Sequence, residues 1–250
     1  MTVPVGQTDG RLTLTVLGTD GSYPGPGGAC SGYLLRAGGF CTWLDAGPGT
    51  LANLQLHIPL AELDAVVLSH AHPDHWSDVE GLHIAMRYFL GRRGLPVYAP
   101  EGLKDLMRSG GPDGTLDWRV IGDGQSADIG PVRWTWSRTD HPVETLAARA
   151  DLHGRSLGYS ADTGPAWSLT SLGQPVDLAL VEASLTTEAE GTLQHLSARQ
   201  AGAAAAGAGA GRLLLTHLAP PIDREHARVE AAAAYGRPVE VAAVGQTWEV

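Results

Sequence analysis

The chain has 250 residues, 43% of them apolar and 18% charged, with a formal net charge of -10. That length and apolar content suffice for one sizeable core, so residues 1–250 are expected to form a single domain. The acidic balance argues against a grip on extended nucleic acid, because no basic run occurs beyond Arg92-Arg93.

Residues 1–10 carry no basic or apolar stretch, so no signal peptide is expected. No window approaches the roughly 18–20 apolar residues of a membrane span, and no membrane partner is expected. Cys30 and Cys41 lack the Cys-x-x-Cys spacing of a metal site, and a reduced pair in the cytoplasm is preferred to a disulfide.

Residues 11–17 alternate with period two and predict a strand, followed by a Gly/Pro-rich loop over 18–28. Residues 31–36 and 40–45 predict a hairpin turning at Gly38-Gly39, and 50–57 a short helix. The apolar run within 63–69 predicts a buried strand that delivers His70 at its carboxyl end. Val79, Leu82, Met86 and Phe89 then recur at helical spacing over 78–90. Further strands are expected at 96–99, 118–121, 132–136, 146–150 and 156–160, with a helix over 101–108. Strands at 178–181, 213–216, 239–243 and 246–250 alternate with helices starting near Ser197 and Asp223. Ser197 to Gln200 has a capping-box pattern, so the Ala/Gly-rich stretch over 201–211 reads as a closely packed helix rather than a linker. No internal repeat is convincing by direct comparison of segments. Helices following strands in both halves imply two sheets with helices outside, a four-layer αββα sandwich of the α/β class.

The densest chemistry is His70-Ala71-His72-Pro73-Asp74-His75. On an extended strand end His70 and His72 point the same way. Pro73 then turns the chain, so that Asp74 and His75 face a second point nearby. Imidazole and carboxylate suit zinc, manganese or iron. Three later segments offer more donors at strand ends: His141, Asp162 and His217.

This order of motifs, from Asp45 to His217, resembles the metallo-β-lactamase superfamily. The resemblance implies two divalent metal ions, zinc first, with manganese or iron as alternatives. One would be held by His70, His72 and His141, the other by Asp74, His75 and His217, with Asp162 bridging. It further implies a hydrolase in which hydroxide between the metals, beside Asp74, attacks the substrate. Asp45 in Leu44-Asp45-Ala46-Gly47 matches the first motif, where the carboxylate supports the ligands.

Val181-Glu182-Ala183-Ser184 and Leu193-Gln194-His195-Leu196-Ser197 are similar to segments of ribonuclease Z and its phosphodiesterase relatives. There the histidine faces the scissile phosphate and the glutamate supports it, which implies catalytic roles for His195 and Glu182. Ser31 to Arg36, Tyr159 to Gly164, Leu214 to His217 and Gln246 to Val250 look closer still to bacterial atypical class II cyclic-nucleotide phosphodiesterases. The implied reaction converts 3′,5′-cyclic AMP to 5′-AMP, with a small phosphodiester as partner. A ribonuclease Z-like tRNA 3′-end endonuclease is the first alternative, and a metal-dependent ester or lactone hydrolase the second. Only twenty residues separate His141 from Asp162, short for the tRNA-gripping arm. Relatives pair as dimers, but no homodimer interface is legible here.

Some residues keep two readings. The turn from Gly18 to Ser22 either presents N–H groups to a phosphate or merely links strand to loop. Asp78 either supports a ligating imidazole or caps a helix. Trp76 and Tyr88 are read as core packing ahead of nucleobase stacking. His57, His83, His153 and His226 have no motif support and are read as structural or surface.

Overall fold

The computed structural model describes residues 10–109 and 113–250. The reading of residues 1–10 as free of a leader lies, Gly10 apart, outside the described residues. The first sheet begins as a meander, β1 (Leu12–Gly18), β2 (Gly32–Ala37) and β3 (Phe40–Ala46). Helix α1 (Thr50–Leu54) leads to β4 (Ala65–Val67), and α2 (Pro73–Trp76) and α3 (Asp78–Ile84) lead to β5 (Leu95–Ala99) and β6 (Leu116–Val120). The second sheet repeats the plan. β7 (Ser126–Ile129), β8 (Val132–Arg138), β9 (Leu146–Leu152) and β10 (Arg155–Tyr159) form a meander. β11 (Leu178–Glu182), α4 (Ala198–Gly207), β12 (Arg212–Thr216), α5 (Arg224–Tyr235) and β13 (Glu240–Val241) follow, and β14 (Thr247–Glu249) returns to the first sheet.

The strand orders are β14-β1-β2-β3-β4-β5-β6 and β13-β12-β11-β10-β9-β8-β7. In each sheet antiparallel strands give way to parallel ones, at β3–β4 in the first and β10–β11 in the second. This is a topological duplication that segment comparison did not reveal. Its trace in the sequence is one tetrad, Asp45-Ala46-Gly47-Pro48 at the end of β3 and Asp162-Thr163-Gly164-Pro165 after β10.

Burial assigns the layers. Leu14, Tyr33, Trp134, Trp136 and Leu157 share a core between the sheets. Val79, Leu82 and Met86 pack outside the first sheet, and Ala201, Ala205 and Ala231 outside the second. This is the expected αββα sandwich. Helix α4 opens with the expected capping box, Ser197 Oγ accepting from Gln200 N and the Gln200 side chain accepting from Ser197 N. Ala198, Ala201, Gly202 and Ala205 form its buried face toward α5 and the sheet, while Ala203 and Ala206 are exposed, so the helix is packed on one side rather than buried all round.

Several local readings change. The helix expected over 78–90 is α-helical only to Ile84, and a π-helical turn over Ala85–Leu90 follows. That turn rotates Phe89 out of the stripe to 82% exposure, and Tyr88 is also exposed rather than packed. The helix expected over 101–108 shrinks to a 3-10 turn at Leu103–Leu106. β7 went unpredicted because Ser126-Ala127-Asp128-Ile129 is a polar edge strand with one fully buried side chain. Cys30 and Cys41 are buried free thiols. His83 is tied to Asp113 and Ser109, a structural role. Among the described residues, no helix is long and apolar enough to cross a membrane.

Candidate metal-dependent active site

The carboxyl ends of β3, β4, β8, β10, β11 and β12 supply the residues that meet where the two sheets face each other. β4 delivers His70, and His72 stands as N-cap of α2, with Pro73 at its first position. Pro there fixes φ without losing a needed N–H, so the chain turns sharply and Asp74 and His75 project from the helix. The other sheet delivers His141 after β8, Asp162 after β10 and His217 after β12. Asp45, Ala161 and His217 adopt left-handed φ of 53°, 50° and 53°, uncommon for residues with a Cβ and typical of functional turns.

The structure brings all seven donors named from the sequence together in two groups. His70 Nε2 and His141 Nε2 each lie 3.2 Å from His72 Nδ1. Asp162 Oδ2 is 3.5 Å from His70 Nε2 and 3.9 Å from His141 Nε2. Its other oxygen, Oδ1, is 3.2 Å from His75 Nε2 and 3.4 Å from His217 Nε2. Asp74 Oδ2 closes that group at 3.6 Å from His75 and 3.8 Å from His217. Donors about 2.0–2.1 Å from a tetrahedral ion stand about 3.3 Å apart, close to these separations. Each group draws on both halves of the duplicated fold, and one carboxylate belongs to both.

Further observations fit a divalent metal. His75 Nε2 and Asp162 Oδ1 are buried, and apart from their own 3.2 Å approach, which is off hydrogen-bond geometry, neither has a hydrogen-bond partner among the described residues. Such orphaned atoms are costly unless something unseen satisfies them. Each of four imidazoles also spends its other nitrogen on the protein. His70 Nδ1 lies 2.9 Å from Ser69 Oγ, His75 Nδ1 2.7 Å from Asp45 Oδ2, His141 Nδ1 3.1 Å from the Gln194 carbonyl and His217 Nδ1 2.8 Å from Ser31 Oγ. These bonds fix ring orientation, and wherever Nδ1 carries the single ring proton they leave the inward nitrogen as a lone pair, as metal-ligating histidines require.

The electrostatics agree. Burial pushes His70 well below, and His141 below, the usual imidazole range, so both are neutral donors. Asp162 is held well below the usual carboxylate range: burial opposes this, but His217, His75 and His70 outweigh it. Burial likewise opposes charge on His75, yet Asp162 and Asp45 raise it well above its ordinary value. Three carboxyl groups, Asp45, Asp74 and Asp162, stand buried together here, a setting that calls for a cation.

Asp45 is the hub of the supporting shell. Its Oδ2 accepts from His75, from Ser69 Oγ at 2.8 Å and from Tyr159 OH at 2.7 Å, and its Oδ1 from Ser69 N at 2.7 Å. Ser31, Ser69 and Tyr159 were not singled out in the sequence, since lone hydroxyls carry no spacing signal. The turn at residues 18–22 offers no phosphate cradle. Thr19 and Asp20 N–H donate to Ala29 O and Gly21 N–H to Leu218 O, while Ser22 N–H donates to Asp74 Oδ2 at 2.8 Å. Asp78 touches no imidazole; its carboxylate accepts from Leu51 N and caps α1.

A beta-lactamase superfamily domain model matches residues 43–218, which contain all seven donors. The Bacillus subtilis protein named "Probable metallo-hydrolase YhfI" is 32% identical over 249 residues, spanning 95% of this chain and 100% of its own. The chain belongs to the metallo-β-lactamase superfamily. The crystal structure of YhfI superposes with a TM-score of 0.90 at 31% identity, covering 96% of this chain and 100% of that one. Ribonuclease Z of Mycobacterium avium is 29% identical over 245 residues, spanning 84% of this chain and 87% of its own, which places the chain in the ribonuclease Z-like branch. A diphosphatase from the PhnP family shares the fold at a TM-score of 0.76 and 19% identity, over 96% of this chain and 97% of that one. With these kinships and the histidine–aspartate cluster, the chain is a metal-dependent hydrolase.

The two remaining predicted residues form a unit beside the donors. Glu182, fully buried at the end of β11, places Oε1 2.9 Å from His195 Nδ1. The same oxygen accepts from Thr163 N at 2.7 Å, and Oε2 accepts from Ser184 Oγ at 2.7 Å. Asp162, His195 and His217 present ligand-type atoms within 4.8 Å of one another. Burial opposes charge on His195, but its hydrogen bond to Glu182 and that carboxylate's charge raise it to about 9. Trp76 is buried, with its indole N–H on Ala71 O, and is not a stacking surface.

Proposed function

We propose that this hydrolase cleaves a small phosphodiester, 3′,5′-cyclic AMP to 5′-AMP, using two divalent cations, zinc first among them. His70, His72 and His141 would hold one cation, Asp74, His75 and His217 the other, and Asp162 both. Such a pair makes water nucleophilic near neutral pH and offsets charge on phosphate oxygens.

The observation that carries the substrate class is His195 with Glu182. A carbonyl substrate needs little beyond the metal donors, whereas a phosphodiester brings an anionic centre and an alkoxide leaving group. His195, protonated through Glu182 and within 4.8 Å of donors in both metal-facing groups, meets both needs. It holds a phosphoryl oxygen and gives its proton to the departing 3′ oxygen. Glu182 fixes which nitrogen faces inward and keeps the cation stable below about pH 9.

The fold favours a small substrate. The stretch between His141 and Asp162 is taken up by the β9–β10 hairpin, which turns at Leu152 to Arg155 and pairs along its length. It projects no arm over the site, and the net charge of -10 provides little for tRNA phosphates.

The test is turnover of cyclic AMP, bis-p-nitrophenyl phosphate, a tRNA precursor and a panel of lactones, with and without chelator. We expect chelator-sensitive release of 5′-AMP. His195→Ala should keep its metal and lose about 10²- to 10⁴-fold in phosphodiester turnover. Lactone hydrolysis that is indifferent to His195→Ala, with no phosphodiester cleaved, would replace this reading by the ester one.

A further inference from the structure

The loop carrying His195 has no regular structure, yet it must place that imidazole against donors on other loops. Its neighbour Gln194 makes two bonds to the His141 segment. The Gln194 carbonyl accepts His141 Nδ1–H at 3.1 Å, and Gln194 Nε2 donates to Asp140 Oδ1 at 3.1 Å. Asp140 extends the linkage. Its Oδ2 accepts from Ala166 N at 3.1 Å, its carbonyl accepts from Gly164 N at 2.6 Å, and its own N–H donates to Thr163 Oγ1 at 3.3 Å. A Cβ on Gly164 would stand 2.4 Å from Asp140 Oδ2, so a side chain there would push the Asp140 carboxylate aside. Three segments, carrying His141, Asp162 and His195, are thereby joined at one side-chain pair.

We propose that Asp140 and Gln194 are positioning residues: their hydrogen bond fixes the His195 loop against His141 and Asp162. It sets the distance between the phosphate-facing imidazole and the metal-facing groups. The substrate half of this inference rests on the function proposed above; the clasp itself does not. Neither residue faces the reacting atoms. Their effect passes through His195 and through the carbonyl that orients His141.

A donor–acceptor swap tests it. Gln194→Glu sets two carboxylates against each other and should open the clasp. Asp140→Asn keeps it, because the new amide can accept from Ala166 N and donate to a turned Gln194 amide. The double variant restores donor and acceptor in reversed order. We expect Gln194→Glu to lower kcat about 10- to 100-fold with KM little changed. Its metal affinity in chelator competition should fall, and both quantities should return to within about threefold of the parent in the double variant.

Gln194→Ala, which removes the bond without adding charge, carries the same expectation should Gln194→Glu fail to fold. Additive losses in the double variant, or a Gln194→Ala protein with the parent's kcat and metal affinity, would overturn the clasp. Metal affinity needs no substrate, so rescue of affinity without any phosphodiester cleavage upholds the clasp while refuting the proposed substrate.

Discussion

His75 Nδ1 and Asp45 Oδ2 lie 2.7 Å apart with both side chains fully buried, so the proton between them cannot be exchanged for a water contact. The bond fixes the ring of His75 and aims Nε2 at Asp74 and Asp162. Asp45→Asn keeps the shape but removes the charge and one acceptor, so its amide nitrogen must face a donor, either Ser69 N–H or the group of Ser69 Oγ, Tyr159 OH and His75 Nδ1. We expect metal affinity to fall about 10- to 100-fold, measured by competition with a chromogenic chelator. Unchanged affinity would reduce Asp45 to a packing role.

Asp162 is the carboxylate common to both groups, and its loss leaves the facing imidazoles with no anion at the centre. Asp162→Ala should retain little metal after dialysis, by elemental analysis. The melting temperature of the parent should drop when metal is chelated, because a ligand bound only to the folded state stabilises it. Asp162→Ala should melt at the same temperature with and without chelator. A variant that keeps its chelator response would show that the other six donors suffice.

Glu182→Gln addresses the charge on His195. The imidazolium is raised from 6.5 to about 9, so it is present below that pH and lost as pH rises through it. Without the carboxylate, burial dominates and acts in the opposite direction, lowering the value. The alkaline limb of the kcat profile should therefore move toward neutral pH, while the substituted amide's oxygen still accepts from Thr163 N. An alkaline limb that stays in place would mean that some other group controls it.

Gly202 lies where α4 crosses α5, and a Cβ there would stand 2.3 Å from the Ala231 carbonyl oxygen. The contact is backbone, so the helices must separate. Gly202→Ala should cost about 1–3 kcal/mol, read from denaturant unfolding, with metal content unchanged. No loss of stability would mean that the helix pair shifts freely.

The parts of the site legible in the sequence are those whose residue type and spacing have one chemical use. Three histidines and an aspartate in six residues do so; His141 alone could serve a turn and Asp162 a helix cap, and they gain a single use only together with His217 where apolar strands end. Glu182 and His195 were legible only through resemblance, since a buried glutamate and a histidine beside a helix cap also serve structure. Ser31, Ser69, Tyr159, Asp140 and Gln194 were not legible. Each matters through a partner distant in the chain, such as Ser31 with His217, and no local pattern encodes that pairing. The fold was read strand by strand where apolar residues alternate. It failed at β7, whose exposed edge needs few apolar residues, and at Phe89, where a π turn broke the helical period.

The duplicated topology has a consequence for assembly. Neither half of the chain holds a complete donor group: His70, His72, Asp74 and His75 come from the first, His141, Asp162 and His217 from the second. Cations bound there would act as rivets across a seam, coupling the two sheets through ligand bonds as well as through their shared apolar core. Metal loading should thus make the halves unfold as one cooperative unit, and stripping it should let the β1–β6 and β7–β13 portions exchange amide hydrogens at separate rates.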